Sequence, residues 1–180
     1  MSDVFYLRPV DGPIEPRDVR NMAAEAGGCF NIYRVGWELS VLAADGQRML
    51  CWYRAPDAES ARMALRQLGS DMNAVWGGTV LTQVGKQDPS VLAELSFDHS
   101  QSTADVQARL GAAAAHFTDD QAELTAGFLS NDGRRLICAY AGTDAQSLAA
   151  ALAAAAITAD AVWACQVVRP DNDRQLTDHR

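Results

Sequence analysis

Lysine is almost absent from this chain of 180 residues: Lys86 is the only one, and the other basic side chains are arginine or one of three histidines. The formal net charge is −8. A chain this acidic lacks the basic footprint that neutralises phosphates, which argues against nucleic acid as a partner. It would also be repelled by an anionic membrane surface. Long apolar runs are missing too. The longest small-apolar stretch, Ala149 to Ile157, falls well short of the roughly 20 residues of a membrane helix. Met1 is followed by Ser2 and Asp3 rather than by a basic stretch and an apolar core, so no secretory signal is read. These absences predict a soluble, cytoplasmic protein.

Cysteine spacing excludes two further classes. Cys29, Cys51, Cys138 and Cys165 form no C-x-x-C pair, so neither a zinc ribbon nor a thioredoxin motif is present. In a reducing compartment all four should be free thiols. His99, His116 and His179 fall in no H-x-x-x-H or H-E-x-x-H pattern. His116, which ends a helical stretch, is the candidate metal ligand among them, although a histidine there is most simply a partner of the helix dipole.

What the chain does contain is itself, twice. LAADGQRMLCWYRAPDAES from Leu42 and LSNDGRRLICAYAGTDAQS from Leu129 align at a shift of 87 residues. Asp45-Gly46 meets Asp132-Gly133, Cys51 meets Cys138, Tyr53 meets Tyr140, and Asp57 meets Asp144. The same ungapped shift pairs Phe30 with Phe117 and Val75-Trp76 with Val162-Trp163. An internal repeat of this kind sets the architecture before any local reading.

Each copy reads alike. A short strand (Val4 to Leu7; Val91 to Leu95) precedes a helix with Pro16 in its first turn, or Ser102 or Thr103 as N-cap. Apolar residues at Val19, Met22, Ala23 and Ala26, and at Val106, Leu110, Ala113 and Phe117, form the stripe of a helix lying on a sheet. Two strands joined by Asp-Gly follow, the dipeptide that accepts a tight hairpin turn. A second helix starts at Asp57 or Asp144, and a last strand carries Val75 to Leu81 or Val162 to Val168. The order βαββαβ is the ferredoxin-like unit, with both helices on one face of an antiparallel sheet. The expected fold is α+β: two tandem ferredoxin-like units packed sheet to sheet as a pseudo-dimeric α+β barrel. The divisions are repeat 1 over 1–83, a linker over 84–90, repeat 2 over 91–168 and a polar tail over 169–180.

Chemistry concentrates on the third strand of each copy. Met49, Cys51 and Tyr53 share one face, and Leu50 and Trp52 the other. Because Trp52 becomes Ala139 beside a small-residue helix, Cys51 and Tyr53 are expected to face the interior between the sheets. Cys51, Cys138, Tyr53 and Tyr140 would then line one cavity between the repeats. Their simplest reading is core filling. Asp45 and Asp132 are most simply turn residues, Asp57 and Asp144 helix caps, and Trp76 and Trp163 packing residues. The copies are unequal: Arg8, Trp37, Ser40 and Pro56 of the first are Leu95, Leu124, Gly127 and Thr143 in the second. Polar richness assigns any function to the first copy.

The string Trp37-x-x-Ser40, Asp45-Gly46, Arg48, Cys51-x-Tyr53-x-Ala55-Pro56-Asp57 resembles the bacterial domain-of-unknown-function family 4242, with Arg8 in the place of that family's early arginine. The second copy keeps Asp132, Arg135, Cys138, Tyr140 and Asp144 but lacks the Trp, Ser and Pro. The resemblance implies a ferredoxin-like fold that pairs across its sheets and a nickel-binding role, since part of the family is described that way.

Three readings follow. In the first, the chain is a cytoplasmic binder of a divalent metal such as nickel, or of a small ligand, in a cavity between the repeats. Trp37, Ser40, Cys51, Tyr53, Cys138 and Tyr140 would line that cavity. In the second it is a cofactor-independent enzyme of monooxygenase, isomerase or cyclase type, in which Tyr53 or Cys51 acts on an apolar substrate and Arg8 steadies an anion. In the third it is a structural or interaction module. The expected assembly is a monomer with an internal pseudo-dimer, or a homodimer.

Overall fold

The computed structural model describes residues 1–70, 74–81, 87–117 and 122–171. Lys86, His179, residues 84–86 of the 84–90 linker and most of the 169–180 tail lie outside them. The described residues carry βαββαβ twice over: β1 (Ser2–Pro9), α1 (Pro16–Tyr33), β2 (Gly36–Ala43), β3 (Arg48–Ala55), α2 (Ala58–Gln67) and β4 (Val75–Val80), then β5 (Val91–Ser96), α3 (Thr103–Ala114), β6 (Glu123–Ser130), β7 (Arg135–Ala141), α4 (Ala145–Ala154) and β8 (Ala161–Val168). The fold is α+β, and its elements recur at the shift read from the sequence. Among the described residues no helix is long and apolar enough to cross a membrane.

The chain divides into two compact units, Met1–Val75 with the segment from Val167, and Trp76–Gln166. In the first unit β3 lies between β1 and β2, antiparallel to both. Helices α1 and α2 pack on one face of these strands, burying Val19, Ala26, Phe30, Ala61 and Leu65 against Val4, Met49 and Tyr53. In the second unit the antiparallel order is β8-β5-β7-β6-β4. Strand β4 ends the first repeat in sequence, yet Gly78 to Val80 hydrogen-bond along Phe128 to Ser130 of β6. A sheet edge presents the same backbone groups whatever its side chains, so sequence pattern alone does not name the edge that β4 joins.

Local signals explain where the elements start. Pro16 sits in the first turn of α1, and Asp18 accepts from the Glu15 backbone N–H at 2.8 Å. Ser102 caps α3, with Asp105 completing a reciprocal capping box. Asp57 and Asp144 cap α2 and α4, each accepting a backbone N–H at 2.7 Å, from Ser60 and Ser147. The two hairpins turn at Gly46 (φ +70°) and Gly133 (φ +67°), and Asp45 and Asp132 bond the backbone two residues on.

The helix caps have a pH consequence. The backbone N–H of Ser60 holds the Asp57 carboxyl below the usual carboxylate range, and that of Ser147 does the same for Asp144. A carboxyl depressed in the folded state contributes stability above its unfolded pKa, about 3.9, and loses it as pH falls through the folded value. Asparagine caps as well as aspartate but does not titrate. The double variant Asp57→Asn, Asp144→Asn should therefore match the wild type in urea midpoint at pH 7. It should lose less of that midpoint between pH 5 and pH 2.5. An acid limb as steep as that of the wild type would contradict the assignment.

Candidate ligand-binding site

The first unit forms a half-open cavity of about 180 Å³ between its two helices and its sheet. The floor is set by strand register. Tyr6 lies opposite Cys51 and Arg8 opposite Met49 on one side, while Trp37 lies opposite Tyr53 and Ser40 opposite Cys51 on the other. Directly opposed residues point to the same face, so these side chains converge. Val19, Met22, Ala26 and Phe30 of α1 and Leu65 of α2 complete the lining. Phe30 meets the Tyr53 ring edge-on, with centroids 5.3 Å apart.

Strict alternation would put Trp37 and Ser40, three residues apart, on opposite faces. A register shift between Trp37 and Leu39 removes that conflict. The extra residue of a β-bulge re-aims the side chains beyond it, and both residues reach the cavity. The Trp37 indole N–H donates to Ser40 Oγ at 3.0 Å, and Ser40 Oγ donates to Cys51 Sγ at 3.0 Å. The Tyr53 hydroxyl also bonds Cys51. Burial pushes the Cys51 thiol up, while the bonds from Ser40 and Tyr53 and the charge of Arg8 partly oppose it. Burial, followed by Cys51, drives the Tyr53 hydroxyl well above its ordinary value. At neutral pH both groups keep their protons. They are hydrogen-bonding groups there, neither a thiolate nucleophile nor a phenolate base.

Arg8 is the cation of this cavity. Its Nη2 rests on Met22 Sδ at 3.2 Å, and its guanidinium carbon stands 5.5 Å from the Tyr6 ring centre. Its Nε is buried and has no hydrogen-bond partner. Among the described residues no carboxylate pairs with it; Glu25, which also lines the cavity, is exposed.

The expected orientation of the third strand is corrected here. Cys51 and Tyr53 face α1 and α2 of their own unit, and the cavity they line lies inside the first unit, not between the repeats. Trp52 takes the other face because it finds partners there: its indole N–H donates to Asp3 at 2.9 Å, and its ring lies 6.5 Å from that of Phe5. Cys138 and Tyr140 do not join this cavity. They pack in the core of the second unit, against α3 and α4. Cys138 is pushed up by burial alone, with no counterpart of the Ser40 bond, because Ser40 is replaced by Gly127. Leu81 fills that space, its Cβ 3.4 Å from where a Cβ on Gly127 would stand. Tyr6 was missed at the sequence level, though its place two residues before Arg8 puts both on one strand face.

Exposed His116 follows the end of α3, its backbone N–H on the Ala113 carbonyl. Among the described residues no three His, Cys, Asp or Glu side chains gather closely enough to hold a metal ion.

The relay makes a stability prediction. Ser40 is 1% exposed, so Ser40→Ala leaves the Trp37 N–H without an acceptor in a nearly dry site. The expected cost is about 1–3 kcal/mol, read as a lower urea midpoint. An unchanged midpoint would mean that the relay contributes nothing.

No family model matches the sequence, and comparison with curated proteins finds no match either. Solved structures that resemble the chain include two whose descriptions point to enzymes. One is described as a "putative chlorite dismutase", 7% identical over 93% of this chain and 94% of its own, with a TM-score of 0.48. The other is a "putative monooxygenase" from Lactobacillus acidophilus, 9% identical over 94% of this chain and 97% of its own, with a TM-score of 0.42. Similarities of this size carry no information about the residues that line the cavity.

Proposed function

We propose that the chain is a small-molecule binding protein whose first unit takes a compact organic anion, an apolar ring bearing one carboxylate, with the carboxylate on Arg8. The observation that carries this reading is the guanidinium in a largely apolar cavity, with its Nε dry and no carboxylate beside it among the described residues. A partly desolvated cation without a counter-charge is costly to hold, and an anionic ligand supplies what it lacks. Size supports a single ring: a cavity of about 150 Å³ holds benzene, and this one is about 180 Å³. Tyr6, Phe30 and Trp37 offer ring surfaces to it. Of the string that resembles family 4242, Trp37, Ser40, Cys51 and Tyr53 line this cavity, while Asp45, Gly46, Arg48, Ala55, Pro56 and Asp57 do not; the four lining residues favour a ligand site there. The protonated states of Cys51 and Tyr53 favour binding over nucleophilic catalysis.

The test is calorimetric titration with benzoate and with benzamide, its uncharged counterpart of nearly equal shape. Benzoate should bind the wild-type chain and benzamide should not. Equal affinity for the two, or benzoate binding retained by Arg8→Met, would sink the reading.

A further inference from the structure

The second unit holds a cavity of its own, about 270 Å³, between α3 and the strands β6 and β7. The repeat has changed its chemistry. Where the first unit has Arg8, Trp37 and Ser40, the second has Leu95, Leu124 and Gly127. Leu81, Leu110, Phe117 and Leu124 line it, among the described residues no charged side chain does, and Gln107 stands at an exposed position on α3. One polar group remains inside. Tyr140 is 2% exposed, its ring leans on Phe117 with centroids 5.4 Å apart, and its hydroxyl is buried with no hydrogen-bond partner among the described residues. In the first unit the equivalent hydroxyl, that of Tyr53, is bonded to Cys51; here it is left over.

We infer that this cavity is a second, separate binding site, for a neutral apolar molecule with one hydrogen-bond acceptor, which receives the Tyr140 O–H. Neutrality follows from the described lining: a charge brought against these apolar side chains would lose part of its water and meet no counter-charge among the described residues. An acceptor is required because a buried hydroxyl without a partner is costly, and a ligand carbonyl satisfies it. The apolar body follows from the leucines and Phe117. Gly111 faces this space from α3, and a Cβ added to it would meet nothing within 4 Å. The site does not depend on the anion reading of the first unit, since it shares no lining residue with that cavity.

Acetophenone, with its carbonyl, and cumene, of similar shape with no acceptor, separate the contributions. Both are titrated into the full chain and followed by amide NMR shifts. Acetophenone should bind about tenfold more tightly than cumene, with shifts at Gly111, Leu124 and their neighbours. In Tyr140→Phe that preference should vanish, and the free protein should melt at a higher temperature because an unsatisfied hydroxyl has been removed. Gly111→Leu, which projects into the cavity and improves helix propensity, should abolish binding of both compounds while the chain stays folded. Arg8→Met should leave acetophenone binding unchanged. Four outcomes would each overturn the inference: no binding of acetophenone, equal affinity for the two compounds, binding that survives Gly111→Leu, or a lower melting temperature for Tyr140→Phe, which would mean the hydroxyl has a structural partner.

Discussion

Gly46→Ala is expected to destabilise the protein by about 3–5 kcal/mol, a large share of the roughly 5–15 kcal/mol that holds a typical domain together. Two costs add. The backbone at Gly46 has φ +70°, a left-handed conformation that costs an L-residue about 1–2 kcal/mol. The second cost is steric. A Cβ at this position would stand 2.5 Å from the Ile14 carbonyl oxygen and 2.8 Å from the Ile14 nitrogen. Both are backbone atoms, so no rotamer change relieves the clash. The loop between β1 and α1 crosses directly over the hairpin turn, with the Ile14 N–H bonded to the Gly46 carbonyl at 3.0 Å. Moving the loop away breaks that bond.

The same construction recurs in the second unit. Gly133 has φ +67°, its added Cβ would lie 2.5 Å from the Gln101 carbonyl oxygen, and the Gln101 N–H bonds the Gly133 carbonyl at 2.8 Å. Gly133→Ala should match Gly46→Ala in size. Gly69→Ala is the control: its φ is +74°, but an added Cβ meets nothing within 4 Å, so only the backbone strain of about 1–2 kcal/mol applies. Denaturant unfolding of the three variants measures the difference. If Gly46→Ala costs no more than Gly69→Ala, the crossing loop yields freely and the steric argument fails.

Arg8→Met should lower benzoate affinity about 100-fold while leaving the melting temperature of the free protein unchanged or raised. Hydrogen bonds to a charged group contribute roughly 1.5–3 kcal/mol each, and a factor of ten in affinity is about 1.4 kcal/mol. The stability half of the prediction follows from what Arg8 lacks. Its Nε is buried without a partner among the described residues, and its Nη2 donates to the Met22 thioether sulfur. Removing the guanidinium therefore takes away a partly desolvated charge whose contacts are one thioether sulfur and the Tyr6 ring. A structural arginine would behave the other way, its loss lowering the melting temperature. Arg8→Lys keeps the charge but not the planar fork, and should fall between the wild type and Arg8→Met. If all three chains bind benzoate alike, the carboxylate is not on Arg8.

Among the described residues, each unit leaves one buried polar atom unsatisfied in its cavity, at positions that do not correspond in the repeat. Arg8 in the first unit and Tyr140 in the second each leave a buried polar atom unpaired. Natural proteins accept such local costs at sites that meet something else. The repeat shows that the fold does not need Arg8, since Leu95 stands where it would be repeated, whereas the tyrosine is kept in both copies as Tyr53 and Tyr140.

The sequence by itself determined the duplication, the order of elements and their ends. Those features depend on near neighbours. Ser102, Asp57 and Asp144 start helices by accepting backbone N–H groups within three residues of themselves, Pro16 starts one because its fixed φ and missing N–H suit a first turn, and Gly46 and Gly133 turn hairpins through their own φ angles. It also marked Arg8, Trp37, Ser40, Cys51 and Tyr53 as a set, because the second copy lost three of the five. Only the tertiary structure decided what that set surrounds. Both faces of β3 are apolar, with Met49 and Leu50 each nearly fully buried. Alternation therefore separates Cys51 from Trp52 without saying which face meets the helices. The bulge after Trp37, the sheet that β4 joins and the division into two separate cavities are equally hidden. Each is settled by hydrogen-bond register and helix docking between segments far apart in the chain, and the backbone groups that make those bonds are the same in every residue.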